Sequence, residues 1–151
     1  IFEFERRGCF IMFLDNEDEI FNQWNELKKD IHKSKRKLGI KPREIFWARI
    51  GQNIGSEEYG KDKNFARPII IIRKITNDLF IGIPLTSTIK NDDYFHTFTY
   101  DNKQNGLTQN SAMILQLKVL SIKRLMNKIG IVNKEDFEKI IEKSKNLISP
   151  T

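Results

Sequence analysis

Short runs of β-favouring residues alternate with turn signals between Glu44 and Val119, and this alternation constrains the fold more than any other feature of the sequence. The predicted strands are residues 44–50, 68–75, 79–85, 94–100 and 112–119. Thr76–Asp78 separates the second strand from the third, and Asn105-Gly106 is a further turn before the last strand. The pattern predicts a mainly β (α+β) domain, a small SH3-like β-barrel with helices outside it, rather than a βαβ sheet.

A helix is predicted before the strands, from Asp15 to about Leu38. Asp15 or Asn16 is expected to cap its beginning, and Gly39 and Pro42 are expected to end it. The apolar residues of its predicted face are Ile20, Trp24, Leu27 and Ile31. Its C-terminal half is strongly basic, and two interpretations stay open: a solvated helix end or an arm that contacts nucleic acid.

A second helix is predicted near the C-terminus, where Asn133 is expected to cap its beginning. The residues expected along its buried side are Phe137, Ile140, Ile141 and Ile148. Ser121 is expected to cap a short helix that ends at Arg124 or Leu125. The elements therefore follow the order helix, strands, helix.

Three segments are expected from this order. Residues 41–151 form the barrel domain, and residues 12–40 form an N-terminal helical extension. The chain begins with Ile1 rather than Met, so residues 1–11 are treated as a candidate non-native leader, with Met12 as an alternative start.

The charge of the chain favours a polyanionic partner. Lys and Arg number 26 against 20 Asp and Glu, which gives a formal net charge of +6 at pH 7. Nucleic acid is the first expectation and a membrane surface the second. No apolar run approaches the roughly 20 residues that a membrane helix needs, so no membrane span is expected. The single cysteine, Cys9, permits no internal disulfide, which is typical of proteins of the reducing cytoplasm.

Most catalytic devices that sequence motifs reveal are missing. One Cys and two distant His residues, His32 and His96, cannot assemble a Cys/His zinc site. The sequence has no Walker-type phosphate loop, no GxGxxG, no GxSxG and no acidic cluster suited to two Mg²⁺ ions. His96 lies in an aromatic strand and is interpreted as structural or surface-exposed rather than as a general base. A hydrolase on this chain would therefore use Arg, Thr, Ser and carboxylate side chains, without a metal or another cofactor.

Four motifs occur in an order that resembles the MazF/PemK toxin family. Gly51–Glu58 (GQNIGSEE) is followed by Arg67-Pro68 and an Ile-rich strand, and then by Pro84–Ser87 (PLTS). Ser111–Arg124 resembles the family's apolar strand that ends in Gln and a basic residue before a short helix. Leu125–Gly130 and the following helix resemble its closing element. The resemblance covers about two thirds of the chain and implies a barrel of the MazF/CcdB type that acts as a metal-independent endoribonuclease.

The resemblance implies roles for three residues at strand ends. Arg67 would be the central catalytic residue, holding the scissile phosphate with its guanidinium and neutralising the charge that builds up on the phosphorane. Thr86 would donate its hydroxyl to a non-bridging phosphate oxygen, and Ser87 would be a second donor. For Ser87 the alternative is simple turn chemistry.

Further residues are expected to contact the RNA or the proton that moves. Glu57 would accept or orient the proton of the ribose 2′-hydroxyl, because arginine stays protonated and is a poor base; the alternative is a solvated loop carboxylate. Ser56 and Gln116 resemble family positions that touch RNA, and a polar strand-end role is the alternative for Gln116. Trp47 is interpreted mainly as core, with base stacking as the alternative. Two departures stand out: the loop after Ser56 is longer than in compact members, and the family's Glu-Gln pair is Glu57-Glu58 here.

The resemblance also implies partners. Single-stranded RNA would be the substrate, cleaved at short motifs through attack of the ribose 2′-oxygen to leave a 2′,3′-cyclic phosphate. The chain would be a cytoplasmic homodimer, inhibited by a cognate antitoxin whose acidic tail fills the groove, and the complex would bind DNA. Two alternatives stay open: a CcdB-like topoisomerase poison and an RNA-binding barrel without catalysis.

Overall fold

The computed structural model describes residues 2–150, with side chains described from residue 16 onward. The chain divides into two compact units at the boundary between Ser34 and Lys35. The first unit is one helix, α1 (Phe2–Lys33). No helix of the described chain is long and apolar enough to cross a membrane. The leader expected at residues 1–11 includes Ile1 and side chains that lie outside the described residues, so it stays a prediction. The division of the remaining chain into residues 12–40 and 41–151 also stays a prediction.

The predicted bounds of α1 are wrong at both ends. The helix runs without a break through Asp15 and Asn16, so neither residue begins it. It ends at Lys33 instead of near Leu38, and the Ser34 N–H closes the last turn by donating to carbonyls three and four residues earlier. Like charges three and four residues apart in the basic run that follows disfavour a further turn.

The second unit is a curled antiparallel sheet with one helix. Its elements are β1 (Glu44–Arg49), β2 (Ala66–Lys74), β3 (Leu79–Thr86), β4 (Phe95–Asn102), β5 (Gly106–Met113), β6 (Lys118–Ser121), β7 (Leu125–Ile131) and α2 (Lys134–Ile148). The strand order is β4-β5-β3-β2-β1-β7, and β6 pairs with β3. The sheet curls until the Lys103 N–H, directly after β4, donates to the Ile129 carbonyl of β7 at 2.8 Å. The predicted class, a mainly β SH3-like barrel with a helix on each side of it in the sequence, is confirmed.

The predicted strand over residues 112–119 is wrong, because the chain turns a corner there. β5 ends at Met113, a 3₁₀ turn covers Ile114–Gln116, and β6 begins at Lys118. β6 and β5 consequently pair with successive parts of the same edge of β3. The corner is hidden in the sequence because Ile114 is as fully buried as a residue of a core strand. β7 and the first half of β5 were not predicted as strands, because both segments mix apolar and polar residues without regular alternation.

The run of isoleucines in β2 reflects burial on both faces of the sheet. Ile70 packs with Ile45 and Ile83 in one apolar cluster. Ile69 and Ile71, which point to the opposite face, belong to a second cluster. A strand covered on both faces has no solvent-facing positions to fill with polar residues, so its sequence is continuous rather than alternating.

The C-terminal helix begins as predicted. The Asn133 side chain accepts from the Asp136 N–H at 2.8 Å, which confirms the cap. Ile140 is fully buried, and Leu147, two turns later, packs against the same cluster. The placement of Ile148 on the buried side is wrong, because Leu147 occupies that stripe and Ile148 is 71% exposed. The predicted cap of the short helix is confirmed as well, since the Ser121 hydroxyl accepts from the Lys123 N–H at 3.2 Å.

Closure of the barrel depends on a glycine in β7. A Cβ on Gly130 would lie 2.7 Å from Cδ2 of Tyr100 and 3.0 Å from the Asp101 carbonyl oxygen. Gly130→Ala should therefore lower the free energy of unfolding by about 1–3 kcal/mol, because β4 or β7 must shift to make room. Urea denaturation measures the change.

Gly39→Ala is the matched control, since nothing lies within 4 Å of a Cβ there and its φ is not in the left-handed region. It should leave stability unchanged or raise it by about 0.4–1 kcal/mol. Equal unfolding midpoints for the two variants would contradict the close approach of β4 and β7.

Candidate active site

A cavity of about 230 Å³ lies at one end of the β2–β3 hairpin and is lined by Arg67, Thr86 and Ser87. Arg67 is the second residue of β2 and Thr86 is the last of β3. Each lies two residues beyond the paired Ile69 and Pro84, so the antiparallel register brings both to the same end of the sheet. The structure thus brings together three of the six site residues expected from the sequence, two of them on regular strands.

The same cavity has lining residues that the sequence analysis does not identify. They include Lys61, Asp62, Tyr100, Asn102 and Asn110. Among the described residues that line the cavity, Asp62 is the acidic one, and Lys61 is a second cation in addition to Arg67. The sequence gives only a weak signal for the strand residues among them. Polar residues at alternate positions of a strand also occur wherever a strand faces solvent. Trp47 lines the cavity too, so the indole is not confined to the core.

Buried polar side chains form the floor beneath Thr86. The Tyr100 hydroxyl donates to Oδ1 of Asn110 at 2.9 Å and accepts from Nδ2 of Asn102 at 3.4 Å. Nδ2 of Asn110 donates to the Thr86 carbonyl at 3.3 Å. Burial raises the pKa of Tyr100, and the hydrogen bond from Asn102 opposes that shift. The phenol therefore stays protonated at neutral pH and keeps its donor role toward Asn110.

The guanidinium of Arg67 is buried and held through all three of its nitrogens. Arg67 is 8% exposed. Its Nη2 lies 2.5 Å from Oε1 of Glu58. Nε donates to the Tyr59 carbonyl, and Nη1 donates to the Leu85 carbonyl at 3.4 Å. Glu58, rather than Glu57, is thus the carboxylate that contacts the arginine.

The loop of residues 51–65 supplies two of these contacts and is closed at its base. The Gly60 N–H donates to the Gly51 carbonyl at 2.7 Å, and the Gly51 N–H donates to the Phe65 carbonyl at 3.1 Å. A Cβ on Gly60 would lie 1.7 Å from the Phe65 carbonyl oxygen, so only glycine fits at this position. The Tyr59 carbonyl, one residue earlier, consequently has a fixed place beside Arg67.

Ser56, Glu57 and Gln116, the other three expected site residues, line a second depression of about 690 Å³. They do not line the first cavity. The Glu57 carboxylate is exposed and accepts from the Ile54 N–H at 3.1 Å, a contact within the loop. Lys118 lines the same depression; burial lowers the pKa of Lys118, whereas the negative charge of Glu57 opposes this shift. The structure therefore separates Glu57 from the cavity that Arg67 and Thr86 share.

Both the oxygen and the nitrogen of the Gln116 amide form hydrogen bonds with the loop of residues 51–65. Its oxygen accepts from the Glu58 N–H at 3.1 Å, and its nitrogen donates to the Ser56 carbonyl at 3.2 Å. The expected contact between Gln116 and RNA is not tested by this arrangement and stays a prediction.

His96 lies outside both cavities and has a structural role. It is 5% exposed, its Nε2 lies 2.8 Å from Oδ1 of Asp136, and Nζ of Lys143 lies 3.4 Å from its Nδ1. These contacts fasten β4 to α2, which confirms the structural interpretation of this histidine. Among the described side chains, no three His, Cys, Asp or Glu residues are grouped closely enough to hold a metal ion.

Solved structures of MazF toxins have the same fold. MazF from Deinococcus radiodurans superimposes with a TM-score of 0.58 at 15% identity, over 74% of this chain and 97% of that one. The MazE-MazF structure from the same organism gives 0.54 at 12% identity, over 76% and 99%. A mycobacterial endoribonuclease gives 0.52 at 12% identity, over 74% and 93%. At these identities the likeness establishes the fold class alone.

The sequence itself establishes the family. Residues 41–148 match the family of PemK-like, MazF-like toxins of type II toxin-antitoxin systems. This match spans more than two thirds of the chain, and the chain therefore belongs to that family. No curated protein matches the sequence significantly.

The buried hydrogen bonds of the Tyr100 hydroxyl should contribute to the stability of the fold. Tyr100→Phe should lower the free energy of unfolding at pH 7 by about 1–3 kcal/mol, because buried groups of Asn102 and Asn110 lose their partner. Since burial raises the pKa of Tyr100 above its ordinary 10.0, the unfolded state releases this proton first as pH rises. Above about pH 10 the wild type therefore loses the stability that Tyr100 contributes, and the variant has no such contribution to lose. The difference in unfolding free energy between the two proteins should narrow there.

Urea unfolding at pH 7 and at about pH 10.5 measures both effects. Tyr94→Phe is the control, because Tyr94 is 48% exposed and its removal should change little at either pH. A constant difference between Tyr100→Phe and the wild type at both pH values would contradict the buried, protonated phenol.

Proposed function

We propose that this toxin is a metal-independent endoribonuclease that cleaves single-stranded RNA. One observation carries the proposal: the buried guanidinium of Arg67 and the strand-end hydroxyl of Thr86 line the same cavity. Both groups are hydrogen-bond donors suited to the anionic oxygens of a phosphodiester. Membership of the toxin family supports the same activity, as does the name endoribonuclease carried by a structural neighbour.

The proposed reaction is an internal transesterification. The ribose 2′-oxygen forms a bond to the adjacent phosphorus as its proton passes to a base, and the bond from phosphorus to the 5′-oxygen breaks. The 5′-oxygen leaves with the electron pair and takes up a proton, giving a 2′,3′-cyclic phosphate and a 5′-hydroxyl. Arg67 neutralises the charge on the phosphorane, Thr86 donates to a non-bridging oxygen and Ser87 is a second donor. The nucleophile belongs to the RNA, so no metal-bound water is required.

A carboxylate is proposed to accept the 2′-hydroxyl proton, since the arginine stays protonated. Glu57 is the candidate from the sequence, and Asp62 is the candidate from the cavity. Asp62 is the better placed of the two because it lines the space that Arg67 and Thr86 share, whereas Glu57 lines the second depression. Glu57, Ser56 and Gln116 are then proposed to contact RNA on either side of the cut, beside the cationic Lys118.

The protein partners proposed here follow the same family. The net charge of +6 suits both RNA and an acidic antitoxin segment. A structural neighbour from a mycobacterial species was solved in complex with its cognate antitoxin. We propose a cognate antitoxin for this chain too, together with homodimer formation and a cytoplasmic site of action.

Variants of the two donors test the activity on a long single-stranded RNA in EDTA. Arg67→Lys should lower kcat by roughly 10²–10³-fold, because lysine keeps the charge but loses the planar fork. Thr86→Val should lower kcat by about 10–10²-fold, and Thr86→Ser, which retains the hydroxyl, should stay close to wild type. Mapping the fragment ends by primer extension and end-group analysis measures both the rate and the product.

The substrate offers a control of its own. A single deoxyribose at the cut site should abolish cleavage there, because it removes the nucleophile. Continued cutting at that position would exclude 2′-oxygen attack. RNA binding without cleavage by the folded wild type would indicate a non-catalytic barrel, and toxicity unaffected by Arg67→Lys would favour a topoisomerase poison.

The two candidate bases give opposite expectations. Asp62→Asn should lower kcat and remove the acidic limb of the pH–rate profile, because the proton acceptor is lost. Glu57→Gln should leave kcat and that limb in place, with any effect confined to KM, since Glu57 lines the second depression rather than the catalytic cavity. The reverse pattern would return the role of base to Glu57.

A further inference from the structure

The ion pair between Arg67 and Glu58 is shielded from solvent. The exposed fractions of the two side chains are 10% and 17%, and Nη2 lies 2.5 Å from Oε1. An amide in place of the carboxylate could still accept a hydrogen bond from the charged guanidinium, but the ion pair would be lost.

The hydrogen-bond donors of Arg67 can be counted. A guanidinium has five N–H donors. The carbonyl of Tyr59 accepts from Nε and the carbonyl of Leu85 accepts from Nη1, while Nη2 forms the ion pair with Glu58. At least one N–H on each of the two terminal nitrogens is therefore not used by these three groups, and a phosphate needs one from each for a two-point contact.

Glu58 is not among the residues that line the catalytic cavity, whereas Arg67 lines it together with Thr86. The carboxylate thus orients the guanidinium without occupying the space for the phosphate. Its position outside that space, and its use of an oxygen on Arg67, make it an unsuitable acceptor for the proton of a 2′-hydroxyl.

The backbone of Glu58 is fixed from both sides. Its N–H donates to Oε1 of Gln116 at 3.1 Å, and its carbonyl accepts from Nδ2 of Asn53 at 2.6 Å. Gln116 belongs to the 3₁₀ corner between β5 and β6, and its amide also donates to the Ser56 carbonyl. The loop that carries the carboxylate is therefore tied to a rigid part of the barrel.

We infer that Glu58 is a positioning residue for Arg67, and that Gln116 acts one step further back by fixing the backbone of Glu58. The inference rests on the proposed ribonuclease function for its effect on rate. Glu58 sets the guanidinium so that one N–H of each terminal nitrogen meets the phosphate without rearrangement. A misplacement of about 1 Å in such a contact lowers the rate on the order of 10²-fold.

Paired substitutions at position 58 test the inference on RNA cleavage. Glu58→Ala should lower kcat by about 10²-fold without raising KM, because removal of a negative charge does not weaken the attraction to RNA. Glu58→Gln should recover kcat to within about tenfold of wild type, since its amide oxygen still accepts from Nη2. Glu138→Gln, an exposed change on α2, is the charge-matched control and should behave as wild type.

Two further readouts separate positioning from other roles. The pH–rate profile of Glu58→Gln should keep its acidic limb; loss of that limb, with kcat as low as in Glu58→Ala, would make Glu58 the general base and overturn the inference. Full activity of Glu58→Ala would overturn it too. Gln116→Ala should lower kcat in the wild type and have little further effect on the kcat of Glu58→Ala, because both changes release the same arginine; the loss of an RNA contact by Gln116 would change KM instead.

A measurement without RNA keeps this inference distinct from the proposed function. The Nε–H signal of Arg67 in a ¹⁵N-edited NMR spectrum should be sharp in the wild type and in Glu58→Gln, and broadened in Glu58→Ala and Gln116→Ala. A wild type that shows this pattern but cleaves no RNA would refute the ribonuclease and leave the positioning intact. A sharp signal in all variants would refute the positioning itself.

Discussion

The hydrogen-bond ladder of β3 is the constraint on which both the fold and the site depend. β3 pairs with β2 along one edge, and with β6 and then β5 along the other. Its last two carbonyls, those of Leu85 and Thr86, accept from Arg67 and Asn110. A slip of β3 by one residue would turn the Thr86 side chain to the other face of the sheet, since strand side chains alternate. The apolar clusters on both faces hold this register.

The burial of Arg67 explains why so much of its surroundings is polar backbone. Removing an ion from water costs several kcal/mol even after the protein relaxes, as an order-of-magnitude figure. Glu58 compensates the charge, and two carbonyls accept two of the remaining protons. A cation held in this way has its donors oriented before the substrate arrives, so little rearrangement is needed when charge builds up on a phosphate.

The sequence could predict that Arg67 meets the end of β3, but it could not predict which residue there faces it or which carboxylate contacts it. Counting outward from the turn at residues 76–78 pairs Arg67 with Ser87. An irregularity between Ile71 and Arg73 shifts the register by one residue and brings Thr86 opposite Arg67 instead. The loop of residues 51–65 has no periodicity to count from, so nothing in it distinguished Glu58 from Glu57. The 3₁₀ corner that brings Gln116 to this loop lies inside an apolar run that also has the composition of a strand. The predicted end of α1 near Leu38 is wrong because repulsion among basic residues disfavours a further turn after Lys33. A pattern of apolar residues does not reveal such repulsion.

Two of the groups that hold Arg67 are main-chain carbonyls, those of Tyr59 and Leu85; the others are the Glu58 carboxylate and the Tyr59 ring, whose centroid lies 5.6 Å from the guanidinium carbon. A main-chain carbonyl is present whatever side chain its residue carries. Substitutions at these two positions therefore leave the arginine's acceptors in place as long as the path of the backbone is kept. That path depends on the glycine at position 60, where no other residue fits, and on the side chains of Asn53 and Gln116, which hydrogen-bond to the backbone of Glu58. Such an architecture can be inherited through extensive sequence divergence, because mutations accumulate in the loop without dismantling the geometry around the arginine.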